Sequence, residues 1–377
     1  AVKGGIDAIE NACRAFQFER MKGSSAPLGA DQIRDQLFLL VDRVMGEGSL
    51  YAPDLAALAV RQAAGDTLEA AFMLRAYRTT RPRLGYSIAQ SSDRMRVVRR
   101  ISAAFKDIPG GQVLGPTTDY TLRLLNFETA EDSRIRKTRL VDDILRGTAA
   151  AEPLPDTFPR VIDILRRENL VASAAAGRRV SATRFSRRPA AADAPFDVTK
   201  DSLLFPAPRS AALQTLARGE TGGLLLLAYS NMRGYGNIHP TIGELRVGYM
   251  PLRVRHPLTG ETYTAGEVKV TEAEILAKFT DRTDGPRFTV GYGLCFGHNE
   301  VKAISMAILD RSIQTQTNAT PSENGEFVLS HVDGIESMGF CNHWKLPHYV
   351  DFQSDLDRLR RAKEIYDAQR VDQEKKT

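Results

Sequence analysis

Cysteine is scarce in this 377-residue chain, which contains only Cys13, Cys295 and Cys341. Because they lie far apart and no C-x-x-C pair is present, neither a disulfide framework nor a self-contained iron–sulfur site is expected. No apolar run approaches the roughly 20 residues that a membrane-spanning helix needs, and no apolar leader core follows the N-terminal Ala-Val-Lys-Gly-Gly. These absences predict a cytoplasmic protein that does not contact a membrane.

A large excess of one charge is also lacking. Lys and Arg number 51 against 46 Asp and Glu, which gives a formal net charge of +5. This mild excess favours anionic ligands without requiring nucleic acid. Five arginines between positions 178 and 188 have little aromatic interleaving, so a solvated linker is favoured over a nucleic-acid-binding arm, and no nucleic-acid partner is expected.

The apolar periodicity predicts an α+β fold, with a helical N-terminal region followed by a mixed α/β C-terminal domain with antiparallel strands. Asp66 to Glu69 has the spacing of a capping box and predicts a helix start. Four segments are predicted: a mainly helical domain at 1–127, a basic Ala/Arg/Pro-rich linker at 128–200, an α+β ligand- and metal-binding domain at 201–352, and a C-terminal helix with a charged tail at 353–377.

Strands are predicted mainly in the second half of the chain. The continuous apolar run 224–229 favours a buried strand, although a helix is the alternative. Leu245, Val247 and Tyr249 alternate with polar or small residues, as in a half-buried strand. Thr259-Gly260 predicts the turn of a hairpin that returns through Val268 and Val270.

Three segments combine glycine, aromatic and histidine residues in patterns that a core does not need. The first, residues 233–240, reads R-G-Y-G-N-I-H-P. It is either a ligand-binding loop in which Arg233 contacts an anion or a loop with a purely structural role. The second, residues 291–299, is either a glycine-rich turn that offers backbone N–H groups to phosphate or a strand packed closely under a neighbour. It matches neither the dinucleotide fingerprint nor the P-loop.

The third segment contains two histidines, His343 and His348, five positions apart with Pro347 between them. This spacing excludes the i, i+4 pair of a zincin helix, but in a loop both imidazoles could bind one zinc ion. Asp351 could ligate or orient one of them, and His331 is a further candidate. Two ligands are too few, so water, substrate or another chain would have to supply the rest. Hydrogen-bonded interface histidines are the alternative.

These segments resemble subunit I of the carbon–phosphorus lyase core complex, the PhnI family. The similar motifs are R-G-Y-G-x-x-H-P, F-T-x-G-Y-G-L-x-F-G and K-L-P-H-Y-V-D-F-Q, and in the N-terminal half V-K-G-G, V-D-R-V-M, L-R-A-Y-R-T-T, K-D-I-P-G-G-Q and L-G-P-T. The resemblance extends from Val2 to about Gln353 and is lost only in the predicted linker.

The resemblance implies an enzyme subunit that displaces adenine from MgATP by a phosphonate, which gives an α-D-ribose 1-alkylphosphonate 5-triphosphate. Alone, a family member acts as a purine nucleotide nucleosidase. The implied partners are subunits G, H and J of the core complex, with the ATPase-like subunits K and L. The resemblance also implies that His343 and His348 bind Zn²⁺ at the contact with subunit J, while Mg²⁺ accompanies ATP.

Such a reaction needs a proton for the leaving purine, stabilisation of positive charge at ribose C1′ and side chains that bind the triphosphate. Residue type and position suggest candidates for these roles. The acid/base candidates are Asp107, Asp310 and His239, and the substrate-binding candidates are Arg233, Arg246, Arg287, Arg311, Gly291, Tyr292 and Gly293. The alternative is a non-catalytic hub in which a zinc ion at a subunit interface is purely structural.

Overall fold

The computed structural model describes residues 4–148, 154–172, 196–236, 239–277, 285–315 and 317–374. Two compact units are present, 1–333 and 334–377. None of the described helices has both the length and the apolarity that crossing a bilayer requires. The arginine-rich stretch 178–188 lies outside the described residues.

The N-terminal part of the larger unit is helical, as the sequence predicts. Asp66 caps a helix there, because its side chain accepts hydrogen bonds from Leu68 N and Glu69 N. Buried alanine, valine, leucine and methionine side chains form one apolar cluster between four of these helices. The helices are α1 (Ile6–Met21), α2 (Ala30–Gln36), α3 (Phe38–Gly48), α4 (Pro53–Gln62) and α5 (Thr67–Thr79).

A four-stranded antiparallel sheet with the order β1-β2-β3-β4 follows these helices in the chain. Its strands are β1 (Arg96–Ile101), β2 (Pro240–Arg255), β3 (Thr262–Ala277) and β4 (Thr289–Phe296). The predicted hairpin is confirmed: β2 and β3 pair along their length, and Gly260 lies in the turn with φ 73°. The α+β fold class is therefore correct.

The other described helices of the larger unit are α6 (Ala130–Thr148), α7 (Val161–Arg167), α8 (Arg209–Arg218), α9 (Thr221–Ser230), α10 (Glu300–Gln314) and α11 (Gly325–His331). The main core lies on one face of the sheet, where α10 packs against β4 and β3. On the other face, α7 buries Val161, Ile162 and Leu165, so this part of the predicted linker is packed structure.

The strand predicted at 224–229 is wrong, because these residues belong to α9. Glu220 begins the helix by accepting hydrogen bonds from Gly222 N and Gly223 N. Only Leu224 and Ala228, one helical turn apart, are buried, whereas Leu225 and Leu226 are exposed. A continuous apolar run does not itself distinguish a strand from a helix, and here the cap at Glu220 favours the helix.

Helix α3 is joined to the sheet region by Asp42, which is buried. Its carboxylate accepts hydrogen bonds from His298 N at 2.9 Å and Lys269 Nζ at 3.3 Å. Gly297 has φ 76°, and a Cβ at that position would lie 2.4 Å from Asp42 Cβ. Glycine is thus required both for the backbone conformation and for the close approach of α3.

The smaller unit, 334–377, contains two helices, α12 (Gly334–His343) and α13 (Tyr349–Glu374). Between them lies the short segment 344–348, which ends at His348. The long α13 has no buried residue.

Candidate functional site

One end of the sheet carries several residues that the sequence predicts for the site. At this end β1 and β3 finish, while β2 and β4 begin, since Pro240 pairs with Ala277 and Ala277 with Thr289. We call this end, with residues 102–112, Gly236, His239 and residues 285–288, the sheet rim. Asp107, His239 and Arg287 all lie at the sheet rim, on segments that come from distant parts of the sequence.

The segment that carries Asp107 is held in place by a buried guanidinium. Arg100 of β1 is completely buried and donates hydrogen bonds to Pro109 O at 2.8 Å and Gly111 O at 3.0 Å. Its Nε also donates to Glu244 Oε1 at 2.5 Å. Asp107 itself is exposed to solvent, so its carboxylate is accessible to a ligand while its backbone is fixed.

Arg233 precedes the rim residue Gly236 in the chain, and Arg311 lies beside Gly291, near the start of β4. Arg233 occupies a π-helical turn, Asn231–Tyr235, that follows α9 and contains Gly234 with φ 107°. Asn231 donates a hydrogen bond to Ser312 of α10, which fixes this turn beside the C-terminal end of that helix. Arg233 is exposed, whereas Arg311 is nearly buried and burial lowers its pKa. The tight glycine geometry expected for this segment is present.

Gly291 and Gly293 lie within β4, so the strand interpretation of the glycine-rich segment is the correct one. A Cβ would lie 2.0 Å from Ala307 O at Gly291 and 2.1 Å from Ala303 O at Gly293. The two glycines therefore allow α10 to pack directly on the strand backbone. The sequence-based hypothesis that their N–H groups meet phosphate has no support in this packing.

Asp310 is almost fully buried on α10 and accepts three hydrogen bonds. Arg209 donates through Nε to Oδ1 at 3.2 Å and through Nη2 to Oδ2 at 2.8 Å. The backbone N–H of Tyr292 donates to Oδ2 at 2.9 Å. This bidentate pairing joins α8, α10 and β4. It is the arrangement of a carboxylate that positions other groups rather than one that transfers a proton.

Arg246 and Tyr292 both meet Glu272 on the sheet face opposite α10. Arg246 Nε donates to Glu272 Oε2 at 3.0 Å, and Arg246 Nη2 donates both to the same oxygen and to Ser92 Oγ, the latter at 3.1 Å. The Tyr292 hydroxyl donates to Glu272 Oε1 at 2.8 Å. Burial and the charge of Glu272 raise the pKa of Tyr292, so its hydroxyl stays protonated.

Arg160 extends this network to a second carboxylate, Glu274. Its Nη2 lies 2.5 Å from Glu274 Oε1 and 3.6 Å from Glu272 Oε1. Burial raises the pKa of Glu274 despite the neighbouring Arg160. Burial acts in the same direction on Glu272, but Arg246 and Arg160 outweigh it and lower its pKa. Two buried carboxylates with pKa values shifted in opposite directions resemble the pairs that serve acid and base roles in enzymes.

Three residues of this network were not predicted from the sequence: Glu272, Glu274 and Arg160. A signal for the two glutamates was present, because V-T-E-A-E-I places them two residues apart in an otherwise strand-like run. Residues at i and i+2 of a strand share one face, so this pattern predicts paired carboxylates. Arg160 gives no comparable signal, since it lies in the region interpreted as a linker.

His343 and His348 form a close pair within the smaller unit. Their Nε2 atoms are 3.1 Å apart, and the ring centroids are 4.8 Å apart at 85°. The Nδ1–H of His348 donates to Leu346 O at 2.6 Å, which leaves its Nε2 lone pair directed towards His343. Trp344 packs beside both rings.

The two imidazoles are within hydrogen-bond distance of each other, as expected for the alternative of a hydrogen-bonded pair, and their separation also fits two ligands of one tetrahedral metal ion. Nitrogen atoms about 2.0–2.1 Å from zinc at the tetrahedral angle are about 3.3 Å apart, close to the observed separation. The backbone carbonyl that accepts from Nδ1 is a common partner of a metal-binding histidine. Among the described residues no group of three or more His, Cys, Asp or Glu could hold a metal, so this pair would be an incomplete site that needs ligands from elsewhere.

The fold and these groups define an α+β protein with a buried carboxylate–guanidinium network and a pair of adjacent histidines. Comparison with known proteins makes the assignment specific. The family described as "Bacterial phosphonate metabolism protein (PhnI)" matches residues 1–366, and the chain belongs to this family.

Individual relatives match over almost the whole chain. A protein of Stutzerimonas stutzeri named C-P lyase subunit protein HtxH is 55% identical, over 98% of this chain and 97% of its own length. Two proteins are named alpha-D-ribose 1-methylphosphonate 5-triphosphate synthase subunit PhnI. The one from Rhizobium meliloti is 44% identical, over 98% of this chain and 95% of its own length, and the one from Escherichia coli is 43% identical, over 97% and 98%.

Proposed function

We propose that this chain is the synthase subunit of a carbon–phosphorus lyase system and that it displaces adenine from MgATP by a phosphonate. The product would be an α-D-ribose 1-alkylphosphonate 5-triphosphate. The observation that carries the proposal is the nearly full-length match to two relatives named as subunits of such a synthase. The proposed partners are subunits G, H and J, with K and L as ATPase-like components. A cytoplasmic location stays a prediction.

The sheet rim is the proposed place of reaction. Breaking the bond between adenine and ribose leaves positive charge at C1′ and requires a proton on the purine. Asp107 and His239 are exposed at the rim and could donate that proton. Arg233 and Arg287 would hold an anionic reactant, either the triphosphate or the phosphonate.

Other predicted residues fit positioning roles better than contact with substrate. Arg246 and Tyr292 are engaged by Glu272, while Asp310 is engaged by Arg209. We propose that these groups fix β3, β4 and α10, and thereby the rim. The opposed pKa shifts of Glu272 and Glu274 make this pair an additional acid/base candidate.

His343 and His348 would hold Zn²⁺ through their Nε2 atoms. Bound zinc would supply a Lewis acid that polarises an oxygen of a substrate or water. The remaining ligands would come from a partner subunit, water or substrate. The 3.1 Å separation of the two Nε2 atoms and the orientation of His348 support this assignment.

The test combines zinc content with adenine release. Wild type, His343→Ala, His348→Ala and the control His331→Ala would be purified alone and with co-expressed partner subunits. Zinc would be measured by mass spectrometry, and free adenine from MgATP by chromatography. His331 is the control because it is the further histidine candidate of the sequence and lies in α11 of the larger unit, whereas the pair belongs to the unit 334–377.

We expect both pair variants to lose zinc while His331→Ala keeps it. If wild type releases no adenine above the blank, either alone or with its partners, the catalytic proposal fails. A non-catalytic hub with interfacial zinc would then be the better description. If the pair variants retain zinc, the metal assignment fails regardless of the adenine result.

A further inference from the structure

A long stretch of the larger unit, residues 120–147, has every side chain exposed. We call it the arm. It begins directly after Asp119, whose carboxylate pairs with the buried Arg99 of β1. A segment without regular secondary structure, 122–129, leads into α6. Ten of the exposed side chains are large and apolar: Tyr120, Leu122, Leu124, Leu125, Phe127, Ile135, Leu140, Val141, Ile144 and Leu145.

The side chains of α6 form a stripe along one face of the helix. Its C-terminal half is apolar and consists of Leu140, Val141, Ile144 and Leu145, which have helical spacing. Lys137 and Arg134, three and six positions before Leu140, continue the same face towards the N-terminus. Arg134 pairs with Glu131 at 3.1 Å, but ion pairs as exposed as this one stabilise little. The stripe is therefore apolar in one half and basic in the other.

The apolar surface that the arm exposes is large enough for a stable interface. A large aliphatic side chain has roughly 60–120 Å² to bury, and an aromatic one has about 150–250 Å². The ten side chains are 45–87% exposed, so together they present roughly 500–1,000 Å². One side of a standard protein interface covers about 800 Å². Because an isolated helix of this length is also only marginally stable in water, the arm needs a surface to pack against.

A second copy of this chain fits the stripe less well than a different protein does. If two α6 helices packed in parallel, Arg134 and Lys137 would each face their own counterparts, and like charges repel. If they packed antiparallel and centred on residues 140–145, the basic half would extend beyond the contact. Residues 120–127 would have no counterpart either. A symmetric contact of this kind leaves most of the ten apolar side chains uncovered.

We propose that the arm docks into a groove of a different subunit of the carbon–phosphorus lyase system. The groove is apolar where it meets residues 140–145 and acidic where it meets Lys137 and Arg134, which is the helix-in-groove mode of recognition. Residues 120–127 add apolar contacts at the entrance of the groove. The choice of another subunit rests on the function proposed above, since that function supplies a permanent partner.

The experiment compares assembly with the stability of the free chain. Leu124→Asp and Leu145→Asp test the apolar contacts, and Lys137→Glu, with Lys137→Arg as its conservative control, tests the acidic one. Leu258→Asp is the matched apolar control, because Leu258 is 90% exposed in the turn between β2 and β3, outside the arm. Each chain would be co-expressed with the proposed partner subunits, and the complexes would be measured by native mass spectrometry. Urea unfolding and sedimentation would be followed for each chain alone.

We expect Leu124→Asp, Leu145→Asp and Lys137→Glu to lower the affinity for one partner subunit at least tenfold. Leu258→Asp and Lys137→Arg should change it less than twofold. Because the replaced side chains are exposed in the free chain, its urea unfolding should not change.

The proposal is overturned if the arm variants assemble like wild type, or if they destabilise the free chain, which would mean that the arm packs within it. It is also overturned if wild type alone forms dimers that Leu145→Asp abolishes, because a second copy would then cover the stripe. Assembly that depends on the arm, in a complex that releases no adenine, would support the docking and reject the proposed reaction. Adenine release with assembly unaffected by the arm variants would do the reverse.

Discussion

Replacing Gly293 by alanine should separate α10 from β4 and destabilise the larger unit. The added Cβ would lie 2.1 Å from Ala303 O and 2.9 Å from Met306 Cβ. An ordinary contact begins near 3.4 Å, so the helix would have to retreat by 3.4 − 2.1 = 1.3 Å. No rotamer change relieves this clash, because Cβ and the carbonyl are both fixed to the backbone.

The energetic cost of this displacement comes from the contacts between α10 and the sheet that it weakens. Ala303, Met306 and Ala307 of α10 are buried against the sheet. A radial gap of about 0.5–1 Å already loses a quarter to a half of a van der Waals contact. Overpacking of a core typically costs about 1–3 kcal/mol. We therefore expect a loss of about 3 kcal/mol in the free energy of unfolding.

Urea unfolding followed by far-UV circular dichroism would measure this loss. Tryptophan fluorescence is unsuitable, because the single tryptophan, Trp344, lies in the unit 334–377. Gly147→Ala in α6 is the matched control, since nothing lies within 4 Å of a Cβ built at that position. It should be neutral or stabilising by up to about 1 kcal/mol. A Gly293→Ala protein within about 0.5 kcal/mol of wild type would refute the packing explanation.

Three further predictions concern other parts of the molecule. Burial raises the pKa of Cys295 to about 12. Iodoacetamide should therefore modify the exposed Cys13 and Cys341 in the native chain and Cys295 only after unfolding. Peptide mass spectrometry would measure the modification of each cysteine. Asp66→Ala should destabilise by about 1 kcal/mol in urea, because two N–H groups of α5 lose their cap, whereas Asp31→Ala, in the exposed first turn of α2, should cost less. Arg246 and Arg160 lower the pKa of Glu272 in the folded state. The ionised carboxylate therefore stabilises the protein at pH values above its pKa in the unfolded chain, about 4.3. This stabilisation is lost as the pH falls through the lower pKa of the folded state. Glu272→Gln should therefore be less stable than wild type at pH 7 and lose less stability on acidification, and equal pH slopes in urea titrations would contradict this.

Local signals predicted several elements of the fold correctly. The alternation around Val247, the turn at Gly260 and the cap at Asp66 are each determined by neighbours close in the chain, and the structure contains all three. The run 224–229 was predicted wrongly as a strand because its apolar residues have no period. The decisive cap at Glu220 is a glutamate rather than the usual Ser, Thr, Asp or Asn.

The candidate site was harder to predict, because its geometry depends on contacts distant in sequence. Spacing alone did not separate a phosphate-binding turn from a packed strand at Gly291 and Gly293. That distinction requires knowing that α10 returns over β4. Arg246 was predicted to bind substrate, but its engagement by Glu272 depends on strand register, which the spacing did not give. The pairing of His343 with His348, by contrast, is local, so the sequence could suggest it.

The hydrogen bond between Asp42 and His298 spans 256 positions of the chain, and this has a consequence for biosynthesis. At about 5–20 residues per second, a ribosome needs roughly 13–51 s between adding Asp42 and adding its partner His298. During that interval the emerging helices have only the apolar cluster they share with one another. A nascent chain stalled before position 298 should therefore expose the sheet-facing side of α3 to chaperones and proteases.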